Sequence, residues 1–257
     1  FQAVTWQDNY AVASGTSGGI YLSGDDGASW QQIPAPTGSQ SRQFRDNQRL
    51  SNGRLVVMSA GEGPDSGMFI SDDNGEHWQQ VSQGQQQSTF YDCFYMTSLT
   101  MGWLYGDSDE QGLFVLATTD GGLNWQRQSL PIKAQSSEGG FASSGTCLNE
   151  APGRGIVIGT GNGDTPRLLL LEGNQWQSIE SPISGKMAIS VDRPLGAVKT
   201  GDANNTLILE IESTVVAAQS QELTLTIPEG ITGPAIVRAT VSGDEAWASA
   251  AIKTILN

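Results

Sequence analysis

Three stretches of the chain end in the same way. "SGDDGASW" at 23–30, "SDDNGEHW" at 71–78 and "TTDGGLNW" at 118–125 all fit Ser/Thr-x-Asp-x-Gly-x-x-Trp. The tryptophans, Trp30, Trp78 and Trp125, are 48 and 47 residues apart. An eroded copy, "LLLEGNQW", follows after 51 residues; it keeps Gly173 and Trp176 but carries Leu171 in place of the aspartate. Each copy follows a short apolar run and precedes another strand-like segment. A period of about fifty residues with several short strands in each repeat implies a stack of similar β units.

The chemistry of the motif is that of a corner between two strands. A carboxylate can accept backbone N–H bonds across a tight turn, and a Ser or Thr hydroxyl can do the same. The glycine supplies a positive φ. The tryptophan opens the next strand and offers a large apolar body for packing between neighbouring units. Ser23, Asp25, Gly27 and Trp30 are therefore assigned structural roles, as are Ser71, Asp73, Gly75 and Trp78, and Thr118, Asp120, Gly122 and Trp125. Asp-x-Gly lacks the oxygen ligands of a calcium loop, so no metal is expected. His77 is the only histidine and falls at a variable position of the second corner, which argues against a catalytic triad.

Further strand candidates recur with the same period. Inner strands are expected at 1–6, 43–50, 90–96, 141–148, 187–192 and 234–241, each followed by a small-residue-tipped strand such as "VVMSAG" or "IVIGTG". No 3.6-residue helical period persists. The expectation is an all-β β-propeller of six blades, approximately 1–40, 41–86, 87–133, 134–183, 184–230 and 231–257. Five blades, or a partial propeller with a C-terminal β-sandwich, are the alternatives, because the corner motif is absent after about residue 190. The outer strand of the last blade is expected from residues before Phe1.

The corners resemble the Asp-box, or bacterial neuraminidase repeat, of sialidases, sortilin-type receptors and photosystem II stability/assembly factors. The run "FYDCFYMTSLTMGWLYGDSDEQGLFVLATTDGGLNW", with "SEGGFASSGTCL" after it, is similar to bacterial relatives of the photosystem factors. The resemblance covers residues 1 to about 180. It implies a binding scaffold outside the cytoplasm, periplasmic or secreted. A chain beginning at Phe1 is in keeping with a removed signal peptide or a trimmed end.

Composition narrows the partners. With 13 Lys and Arg against 27 Asp and Glu, the net charge is -14, which disfavours nucleic acid. No apolar run reaches the roughly 20 residues of a membrane span. No phosphate-binding fingerprint or redox motif is present, so no cofactor is expected. A monomer binding a protein or carbohydrate ligand is the expectation.

Propellers bind ligands at the mouth of the channel that the inner strands line. The residues placed there are Arg45, Asp46, Tyr91, Asp92, Tyr95, Trp103, Asp107 and Glu138. A sialidase site would need an arginine cluster and an Arg-Ile-Pro segment, but the first blade reads "QQIPAP". A glycoside hydrolase using two facing carboxylates stays open as the alternative function, with Asp92, Asp107 and Glu138 as catalytic candidates. Cys93 and Cys147 occupy matching places in neighbouring inner strands. Such places are expected to lie too far apart for a disulfide, leaving two buried thiols, with a redox pair as the alternative.

Overall fold

The computed structural model describes residues 1–181 apart from 141, 143, 144, 152 and 153, and beyond them three strands at 187–191, 208–214 and 236–242. The first sheet runs β1 (Ala3–Gln7), β2 (Tyr10–Ser14), β3 (Ile20–Ser23), β4 (Gln31–Gln32), paired antiparallel in chain order. The second is β5 (Gln43–Arg49), β6 (Leu55–Ala60), β7 (Gly67–Ser71), β8 (Gln79–Gln83), and the third β9 (Tyr91–Met96), β10 (Gly102–Asp109), β11 (Gly112–Thr118), β12 (Gln126–Arg127). The fourth is β13 (Leu148–Ala151), β14 (Gly155–Gly159), β15 (Arg167–Glu172), β16 (Gln175–Glu180). Each of these four sheets is an antiparallel meander in chain order. Of the fourth inner strand expected at 141–148, positions 141, 143 and 144 lie outside the described residues, and β13 begins at Leu148.

Alternation within single strands joins the sheets face to face. In β6, Leu55 and Val57 pack with Phe44, Val12, Ile20 and Ile33 toward the first sheet. Their neighbours Val56, Met58 and Ala60 point the other way, into a cluster with Phe94, Leu104, Phe114 and Leu116 of the third. In β11, Phe114 and Leu116 face that cluster, whereas Leu113 and Val115 pack with Leu148, Ile156, Ile158 and Leu169 of the fourth. Both faces are covered, so these strands read as continuous apolar runs without polar alternation. The inner strands β1, β5, β9 and β13 touch in chain order.

The last three strands depart from the six-unit expectation. β17 (Met187–Val191) pairs antiparallel with β18 (Ile208–Thr214), and β18 pairs in parallel with β19 (Ile236–Ser242). The expected inner strand at 234–241 thus lies in one sheet with β17 and β18 and does not open a sheet of its own. The small-residue-tipped strand expected after 187–192, "GAVKTGD" at 196–202, lies outside the described residues. Among the described residues, no helix is long and apolar enough to cross a membrane.

Candidate functional site

All three full corners share one bonding scheme. The Ser23 hydroxyl donates to Asp25 (2.8 Å) and accepts from the Gly27 amide (2.9 Å). Ser71 and Thr118 repeat both bonds with Asp73 and Gly75, and with Asp120 and Gly122. The glycines have φ of 84°, 88° and 85°. Each carboxylate also accepts from the backbone and side chain of the residue before the tryptophan: Ser29, His77 and Asn124. The residue type varies at that position; its common property is a polar group that reaches back four residues. These bonds hold Asp25 and Asp120 below the usual carboxylate range and Asp73 at about 2. Asp73, Glu76 and His77 bring ligand-type atoms within 4.8 Å of one another, but both Asp73 oxygens are already bonded inside the corner.

The tryptophans lock each corner to the preceding blade. Trp78 packs in the first cluster and donates to the Pro34 carbonyl (2.8 Å). Trp125 packs in the second, and Trp176 meets Trp103 edge-on at 5.6 Å. Trp30 differs from its counterparts and from expectation: it is 41% exposed.

The inner strands are stitched by buried polar side chains. Asp46, 1% exposed, accepts from the amides of Asn47 and, in the next blade, Phe94 (both 2.8 Å). Asp92, 2% exposed, is the bulged residue of β9, as Arg45 is of β5, and accepts from the Gly140 amide (2.7 Å). Gln48 pairs with both backbone groups of Met96 (2.9 Å each). A carboxylate that reaches a neighbour's backbone satisfies groups that the sheets cannot.

Glu138 is fully buried, and Arg167 grips both of its oxygens at 2.7 Å. The Gln135 amide adds a third bond (2.8 Å). Arg167 also donates to the Lys133 carbonyl and to Ser178. Arg167 was missed in the sequence, although an arginine opening the apolar run "RLLLL" carried a signal: a buried guanidinium requires a partner.

Asp92 and Asp107 form the remaining carboxylate pair. Burial and the neighbouring Asp107 charge push Asp92 well above the usual range, against smaller opposing effects of Gly140 and Arg45. Burial alone pushes Asp107 to about 6. Among the described residues, the buried Tyr105 hydroxyl has no hydrogen-bond partner. Burial, then Glu138, Asp92 and Asp107, raise its pKa well above normal. Gly139 and Gly140 lie directly on the pair: a Cβ at Gly139 would overlap the Asp107 carboxylate, and one at Gly140 would lie 2.8 Å from Asp92 Cβ.

Arg45 is half-buried and donates to Gln43 (2.7 Å). Burial lowers its pKa, partly offset by Asp92. Tyr91 is buried, its hydroxyl 2.9 Å from Ser82. Tyr95 and Trp103 pack at the junction of the third and fourth blades and stay partly exposed. Of the eight residues, Asp46, Tyr91, Asp92 and Glu138 are thus buried, while Arg45, Tyr95, Trp103 and Asp107 keep access to solvent. Beside them, a cleft of about 520 Å³ separates the Ser108–Gly112 hairpin from the turn at 132–137.

Contrary to expectation, Cys93 and Cys147 are joined in a disulfide, with Cα atoms 5.8 Å apart. Cys93 lies in β9 and Cys147 immediately before β13, and these two strands touch, so the two positions come within bonding reach.

Four-stranded meanders packed face to face, with their first strands meeting in chain order, make this protein a β-propeller. Solved structures bear out that class, and the likeness includes YCF48. YCF48 bound to D1 peptide superposes with a TM-score of 0.53 at 12% identity, over 74% of this chain and 60% of that one. YCF48 from Cyanidioschyzon merolae gives 0.51 at 12% identity, over 82% and 71%. The chain therefore spans about three fifths of the length of the first of these. An ancestral GH74 enzyme matches at 0.48 and 19% identity, over 74% of this chain and 28% of that one. No family model matches the chain, and no curated protein is similar to it in sequence.

Proposed function

We propose that the chain is an extracytoplasmic binding scaffold whose ligand is a segment of another protein, met on the inner-strand side by Arg45, Tyr95 and Asp107. The carrying observation is the commitment of the buried carboxylates. Glu138 has both oxygens on Arg167, and Asp46 and Asp92 each hold a backbone amide of a neighbouring segment. A two-carboxylate hydrolase needs an acid and a base that reach substrate from opposite sides. Glu138 at 0% exposure and Asp92 at 2% are unsuited to that task. A propeller of the same fold bound to a peptide supports a peptide ligand here. The Cys93–Cys147 disulfide supports an oxidising compartment, periplasmic or secreted.

A peptide library displayed on phage tests this reading. A selected peptide, synthesised and labelled, is titrated against the wild type and Arg45→Glu by fluorescence anisotropy. Saturable binding that weakens about tenfold in the variant is expected, the effect of reversing a charge at an interface. A panel of aryl glycosides should stay unhydrolysed. Turnover lost in Asp107→Asn would instead make the protein a hydrolase.

A further inference from the structure

Arg54, Arg127 and Arg167 each turn two nitrogens onto the two oxygens of one carboxylate: Asp72, Asp109 and Glu138. Arg45 is held differently. Its Nε and Nη2 both donate to a single neutral oxygen, Gln43 Oε1, at 3.1 and 2.7 Å. Among the described residues it makes no other hydrogen bond and no ion pair. A guanidinium edge is shaped for a carboxylate. Spent on an amide oxygen, it leaves the positive charge without a bonded counter-ion. Asp92 acts on Arg45 through space only, because it is 2% exposed and holds the Gly140 amide.

The strand explains this pairing. Arg45 is the residue of β5 that the β6 register skips, between Phe44 and Asp46. A bulge of this kind re-aims a side chain. Gln43, two residues earlier, reaches the redirected guanidinium. A guanidinium has donors only, so the amide oxygen must face Arg45 and the amide nitrogen must face away. Gln43 Nε2 is bonded to nothing among the described residues, and both side chains are partly exposed. The free donors, Nη1 of Arg45 and Nε2 of Gln43, therefore flank one bond. Positive charge with donors on either side suits a group with negative charge and two acceptor oxygens, which in a protein ligand is a carboxylate. The chain carries a net charge of -14, so its field repels acidic segments elsewhere.

We propose that Gln43 is a positioning residue of the binding face: it aims Arg45 without neutralising it, so that the face selects a segment presenting a carboxylate. This selection rests on Arg45 being a ligand contact, as proposed above. An alanine at 43 would leave Arg45 charged but unaimed. A glutamate there would put a carboxylate on the same two nitrogens and close an internal ion pair like that of Arg54 with Asp72, leaving no charge for the ligand to meet.

Sodium acetate is the probe, titrated against sodium chloride at equal ionic strength and followed by NMR at the arginine Nε–H groups. In the wild type the Arg45 signal should move saturably with acetate, and that of the exposed Arg154 should not. In Gln43→Glu the acetate affinity should fall about tenfold. In Gln43→Ala the order parameter of Arg45 Nε–H should drop from about 0.85 to below about 0.6. An Arg45 signal that acetate moves no more than Arg154 overturns the proposal, as does equal affinity in the wild type and Gln43→Glu. The wild-type titration decides even if a variant fails to fold. Acetate binding without any phage-selected peptide would sink the peptide scaffold and uphold the aimed arginine. Selected peptides that need Arg45 but carry no acidic residue would do the reverse.

Discussion

Arg167 donates from Nε and Nη2 to the two oxygens of Glu138, each at 2.7 Å, across the junction between the turn before the fourth blade and its third strand. The pair is buried on both sides, so its members depend on each other. Removing one leaves an uncompensated charge, which costs about 3 to 5 kcal/mol, whereas replacing both with apolar or neutral groups costs far less. Glu138→Gln should lower unfolding free energy by about 3 kcal/mol, and adding Arg167→Met should recover part of that loss. Urea denaturation of both variants checks it.

The disulfide gives a second expectation. Cys93 and Cys147 close a loop of 54 residues, and loop-closure entropy assigns such a crosslink about 4 kcal/mol. Cys93→Ser/Cys147→Ser should lose about that much stability in denaturant. Intact mass under alkylation should show no free thiol before reduction and two after it.

The corners titrate in a defined direction. The bonds from His77 hold Asp73 at about 2, and Asp73 in turn raises His77. A lowered carboxylate contributes stability above its unfolded value, lost as pH falls through about 2. A raised histidine contributes below its unfolded value, lost as pH rises through its folded one. The corner should therefore be firmest between about pH 4 and 6.5, the two unfolded values. NMR titration of the His77 ring should show a raised midpoint that returns toward normal in Asp73→Asn.

Asp46 ties the second blade to the third through the Phe94 amide. Asp46→Ala would strand two buried amides, those of Asn47 and Phe94. A loss of about 2 to 4 kcal/mol is expected in the same denaturation assay. Asp46→Asn keeps an acceptor and should lose less.

The repeat unit was legible because its cues are local. A hydroxyl, a carboxylate and a glycine at fixed offsets close the same corner wherever they occur, and strands covered on both faces stay apolar throughout. Four sheets follow from that reading. The end of the chain was harder to read, since β18 and β19 pair in parallel and no corner motif marks the connection. The chemistry of the candidate site residues was not legible. Whether a carboxylate such as Asp92 or Glu138 is free or spent depends on partners far along the chain, such as Arg167 for Glu138. The disulfide was missed because spacing says nothing of how closely neighbouring inner strands approach.

The most direct test of the central claim is a hydrogen-exchange footprint of the phage-selected peptide on the wild-type protein. The account predicts added protection in β5 and β9, around Arg45 and Tyr95, with the corners at 23–30, 71–78 and 118–125 unchanged. Protection confined to those corners, with β5 and β9 unaffected, would contradict it.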